Sequence, residues 1–129
     1  MFVRKRILFF ITVACLLCAA SFAYADAAAV ARSIAEFKAA SQELVRLYEG
    51  ARDEASAKAA EAQINAATKR QKAAESALNA AIQMLNPNNQ ADGKMIENAY
   101  AEMQAANEAV SAAQLKAIEN QAAAKEQKK

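Results

Sequence analysis

The side chains of this chain that could do chemistry are its carboxylates, its lysines and arginines, and two cysteines, Cys15 and Cys18, near the N-terminus; histidine is absent. Without histidine, Ser-His-Asp and Cys-His nucleophilic catalysis have no base. Both cysteines lie in a segment that reads as a removable leader, so structural zinc and axial haem ligation by His or Cys fall away with it. A four-helix di-iron site is excluded too, because its Glu-x-x-His pairs are missing. The two glycines, Gly50 and Gly93, are too few for a phosphate-cradling loop.

The carboxylates fit structural roles. Glu97, Glu102 and Glu108 fall off the apolar seam of Ile96, Met103 and Val110 and read as solvated. Asp53-Glu54 reads as a helix cap, and Asp92-Gly93 as a turn without EF-hand spacing. Lys69-Arg70-Gln71-Lys72 and Lys125-Glu126-Gln127-Lys128-Lys129 are local positive clusters of a kind that touches anionic lipid, cell-wall polymer or nucleic acid. The near-neutral overall balance and the lack of interleaved aromatic residues favour a solvated face and no nucleic-acid partner. Tyr48 and Tyr100 read as core-edge residues with wet hydroxyls. No catalytic, metal-binding or cofactor-binding residue is assigned, so the chain is read as a non-enzyme without a cofactor.

The N-terminus carries a stronger signal. Arg4, Lys5 and Arg6 precede a 19-residue apolar stretch, Ile7 to Ala25, interrupted by Thr12, Ser21 and Tyr24. Ala23 and Ala25 form an A-x-A pattern before Asp26, as in a secretory signal peptide cleaved there. An uncleaved membrane anchor and a lipoprotein signal ending at Cys15 are the alternatives. Cleavage removes both cysteines and three cations. A chain of +2 becomes about −1, with 13 Lys/Arg against 14 Asp/Glu from Asp26 to Lys129. The exported product is expected in the periplasm or the medium. It would touch membrane only through an uncleaved signal or a weak surface contact.

The remaining 104 residues make one small domain, 26–129, in which roughly a third of positions are alanine. Alanine loses no side-chain entropy in a helix, and Glu, Lys, Gln and Arg fill most other places. The fold class is therefore all-α, with a thin core: 19 large apolar residues follow Asp26. Three segments emerge, about 27–49, 53–85 and 94–126. In the first, Val30, Ile34, Phe37, Ser41, Leu44 and Tyr48 share one face. Gly50 is expected as a left-handed helix end and Asp53 as the next N-cap. In the second segment Ile64, Gln71, Leu78 and Leu85 lie seven apart beside Ala60, Ala67, Ala74 and Ala81. An i,i+4 pair, Glu54–Lys58, adds local support there.

Pro87, within residues 86–93, marks a clear loop. Beyond it the third seam runs through Ile96, Ala99, Met103, Ala106, Val110, Ala113 and Ala117, and 122–129 is expected to fray. A loop of this length between helices of similar length favours antiparallel neighbours. Burial of Ile34, Phe37 and Leu44 favours an up-down-up three-helix bundle over the alternative, a long helical hairpin without a break at Gly50.

Asp53-Glu54-Ala55-Ser56-Ala57-Lys58-Ala59-Ala60 resembles a stretch shared by a group of small uncharacterised exported bacterial helical proteins. The resemblance implies a helical exported domain with a break before Asp53, and it brings no catalytic residues. The expected function is helix-helix interaction in the bacterial envelope, with copies of itself or with another envelope protein. The seam expected to carry it comprises Ile34, Phe37, Leu44, Ile64, Ala67, Ala74, Leu78, Leu85, Ile96, Met103 and Val110. A periplasmic chaperone-like or lipid- or ligand-binding protein is the alternative. It would need an apolar groove.

Overall fold

The computed structural model describes residues 2–127, with side chains from Asp26 onward. The readings of Arg4 to Arg6, Cys15, Cys18 and the Ala23–Ala25 cleavage pattern lie outside the described side chains, as do Lys128 and Lys129. The chain forms three helices, α1 (Phe2–Gly50), α2 (Glu54–Gln83) and α3 (Gln90–Glu126). They make a three-helix bundle in which α1 packs along both α2 and α3. Leaving the end of α1, α2 doubles back to set Gln71 beside Ser41, so the two are antiparallel. The α3 helix starts with Lys94 near Val30 and brings Glu102 to Lys38, so it runs parallel to α1. The long helical hairpin is excluded by the break at residues 51–53.

The break does not arise as expected. Gly50 is the last residue of α1 and takes no positive φ, so no left-handed cap is present. The turn is closed instead by the Ala51 amide on the Tyr48 carbonyl (3.1 Å) and the Arg52 amide on the Gly50 carbonyl (3.0 Å). What starts α2 is Asp53, with φ −144° and ψ 177°. Its carboxylate accepts the Ser56 amide at 2.8 Å, while Ser56 Oγ accepts the Asp53 amide at 3.1 Å. This reciprocal box satisfies two otherwise orphaned amides. Glu54 pairs across the bundle with Lys125 at 3.6 Å, rather than with Lys58.

The second connection is shorter than the sequence suggests. The α2 helix ends at Gln83 and α3 begins at Gln90, so the loop is 84–89, and Asp92-Gly93 belongs to the first turn of a helix. Asn89 caps α3 by accepting the Ala91 amide (2.9 Å). Asp92 reaches back to accept the Asn86 amide (2.9 Å), which ties the loop to the new helix. At the far end α3 remains helical to Glu126 rather than fraying from 122.

The core is concentrated at the loop end. Val30 and Phe37 of α1 meet Ala74, Leu78 and Ile82 of α2, Leu85 of the loop, and Ala99 and Met103 of α3. Ile82 belongs to this core although it stands off the heptad rows read from the sequence. Toward the other end the buried positions shrink to Leu44, Ala51, Ala67, Ala113 and Ala117. Small side chains let helices approach closely but remove little apolar area from water.

Gly50 is exposed and a Cβ there meets nothing within 4 Å. Gly50→Ala is therefore expected to raise the thermal midpoint, by up to about 1 kcal/mol of stability, without joining α1 to α2. Ala74, by contrast, is buried against α1, so Ala74→Leu overpacks the seam and costs about 1–3 kcal/mol in a urea titration.

Candidate functional site

All the seam residues read from the sequence are turned inward. Phe37, Leu44, Ala67, Ala74, Leu78, Leu85 and Met103 are buried, and Ile34, Ile64, Ile96 and Val110 are half-buried. The bundle brings Phe37, Ala74, Leu78, Leu85 and Met103 into one core, with Ile34 and Ile96 packed against it. Leu44, Ile64, Ala67 and Val110 lie outside that cluster. These residues hold the monomer together and do not form an outward face.

The polar seam position of α2 joins all three helices. Gln71 of α2 donates from Nε2 to Ser41 Oγ of α1 (2.9 Å) and to Asn107 Oδ1 of α3 (3.2 Å). Ser41 is 2% exposed, and its hydroxyl donates to the Phe37 carbonyl at 2.8 Å. Each buried polar side-chain atom among the described residues has a partner. Such a chain favours one axial register, because sliding α2 by one turn breaks both bonds of the Gln71 amide. The backbones of α2 and α3 barely approach each other, and the Gln71–Asn107 bond and the Glu54–Lys125 pair link them through side chains. Exposed pairs Lys38–Glu102 (2.5 Å) and Arg70–Glu43 (2.6 Å) bind α3 and α2 to α1. Each contributes at most about 1 kcal/mol.

The outward-facing candidates lie off the seam, where sequence periodicity did not single them out. Leu115 and Ile118 are 63% and 58% exposed, and Tyr100 is 51% exposed rather than at the core edge. Tyr100, Gln104, Asn107, Ser111, Leu115 and Ile118 follow steps of four, three, four, four and three, so they share one uncharged stripe along α3. An open groove of about 690 Å³ runs over Tyr100, Gln104, Asn107, Ser111 and Leu115. A second groove of about 400 Å³ lies between α1 and α3 over Lys38, Gln42, Ala101, Ala105 and Ala109. The sequence signal for the stripe is a pair of large apolar residues three apart in an otherwise polar and alanine-rich half-helix.

Several ionisable groups in this arrangement do structural work. The carboxylates of Glu102 and Glu54 are engaged in ion pairs, and Asp92 holds the loop. Among the described residues no cluster of three acidic side chains stands close enough to hold a metal ion. From Asp26 onward, where side chains are described, no helix is long and apolar enough to cross a membrane. The chain matches no family model, no curated protein and no solved structure.

Loss of the three-helix junction is expected to be felt globally: Gln71→Ala lowers stability by about 1–2 kcal/mol, measured by urea unfolding. Asn107→Ala made in that background adds almost nothing, since both changes remove the same bond. A double-mutant cycle reads the coupling.

Proposed function

We propose that this is an exported protein of the bacterial envelope that acts by helix-helix contact and performs no chemistry of its own. The observation that carries this reading is the outer stripe of α3, where Leu115 and Ile118 remain largely exposed. Most of the seam residues are buried inside the monomer, and the large apolar side chains left most exposed lie outside the seam. Exposed large apolar side chains aligned on one helix face are a feature of protein-contact surfaces rather than of a fully solvated helix. Export is supported by the cationic start, apolar stretch and A-x-A pattern of residues 1–25. The resemblance of the stretch from Asp53 to Ala60 to small exported bacterial helical proteins favours the same reading. The partner is a helical protein of the envelope or another copy of this chain.

A photo-crosslinking amino acid placed at Ile118, in cells, is expected to give a discrete adduct of the chain with itself or with one other polypeptide. Absence of any adduct overturns contact through this face. N-terminal sequencing of the protein recovered from cells is expected to begin at or near Asp26. A product that retains residues 1–25 without envelope fractionation overturns export.

A further inference from the structure

The three helices do not end together. The Lys38–Glu102 pair sets the parallel helices α1 and α3 level with an offset of 64 residues. The groove that Ala27, Ala31 and Ile34 share with Ala91, Met95 and Asn98 keeps the same offset. Gly50, the last residue of α1, therefore stands level with Gln114, and α3 from Leu115 to Glu126 runs on past it by about 18 Å. The Gln71–Ser41 bond gives the antiparallel register of α2, in which Glu54 to Glu61 also lie beyond Gly50. Glu54 then faces Lys125, as the Gln71–Asn107 register requires. At this end the molecule is a pair of helices beyond the last turn of α1. Little apolar surface closes it. Past Met103 the buried residues of α3 are Ala113 and Ala117, and α2 buries no residue before Ala67. Val110 and Ile64 are half-buried, and Leu115 and Ile118 are exposed. Past Asn107, Lys125–Glu54 ties α3 to α2, and it is an exposed pair at 3.6 Å that contributes little.

We infer that α3 from Glu108 to Glu126 is a strap that lifts from the bundle while the core beside the 84–89 loop stays folded. The Gln71–Asn107 bond marks the boundary. On its loop side α3 is held by Ala99 and Met103 in the core and by Glu102 on Lys38. On the other side its buried groups are alanine methyls, each of which takes little area out of water. Segments with few buried apolar contacts open at a lower free energy than the whole domain. A released strap gives its amides little protection, because an isolated helix of about 20 residues relaxes between helix and coil within about a microsecond. Lifting it brings Val110, Ala113 and Ala117 into water. The stretch of α1 level with it begins at Leu44, which is 2% exposed with the strap closed. The molecule thus has an open form that presents the inner face of one end without unfolding the other. This opening does not depend on which partner the protein meets.

Hydrogen exchange of the full chain, followed by mass spectrometry across low urea concentrations, tests this. Corrected for intrinsic rates, the amides of 110–126 are expected to exchange at least about tenfold faster than those of 75–82 and 96–103, with a weaker dependence on urea. Ile82→Val trims the core, and it is expected to speed the slow amides about fivefold and leave 110–126 unchanged. Ala117→Gly lies inside the strap and weakens only the closed form, so it is expected to speed both sets about fivefold. Circular dichroism verifies that both variants keep their helicity. Exchange of all protected amides with one rate and one urea dependence overturns the assignment, as does slower exchange of 110–126 than of the core. So does an Ile82→Val variant in which 110–126 accelerates as much as the core, because the bundle then opens as a single unit.

Discussion

Burial of one helix from two sides is the constraint on which the rest of this molecule depends. Val30, Phe37 and Leu44 of α1 are almost wholly removed from water. The backbones of α2 and α3 each pack on α1 and scarcely on each other. In a symmetric three-helix bundle each helix shares its apolar surface with two neighbours. Here α1 supplies most of the common surface, and its replacement by solvent would leave two alanine-rich helices with little reason to associate. The concentration of large side chains near Phe37, Leu78 and Leu85 places the firm part of the core beside the 84–89 loop.

An alanine-rich seam creates its own difficulty, because small side chains interdigitate weakly and specify register poorly. The bond chain from Asn107 through Gln71 and Ser41 to the Phe37 carbonyl supplies that register with directional contacts. A polar residue at one seam position gives up some apolar burial for a single alignment of the helices, as in coiled coils. The capping box at Asp53 and the Asp92–Asn86 bond serve the same end at the two connections. They fix where each helix starts rather than how strongly it packs.

The surface follows from the same scarcity of large side chains. With the seam residues committed to the interior, Leu115 and Ile118 stand out on a helix otherwise faced with alanine, glutamine and asparagine. Glu97, Glu108 and Glu119 line one edge of that stripe, while its α2 side carries both signs, with Glu61, Glu75, Lys72 and Lys125. A charge count alone points to no partner.

The all-helical character, the number of helices, the N-cap at Asp53 and the inward direction of Phe37, Leu44, Leu78 and Met103 were legible in the sequence, because each rests on local propensity or on helical periodicity. The break after Gly50 stands where the sequence puts it but has a different cause. Glycine suits a left-handed cap, yet the residues that follow turn through ordinary hydrogen bonds and Gly50 stays out of that conformation. Asp92-Gly93 reads as a turn because glycine signals a loop locally, whereas the Asn89 cap upstream starts α3 early enough to absorb it. Only the tertiary structure decided that Gln71 joins three helices, that Glu54 turns to Lys125, and that Leu115 and Ile118 face outward. Those outcomes depend on which helix lies beside which, and residue spacing within one helix holds no information about a neighbour far away in sequence.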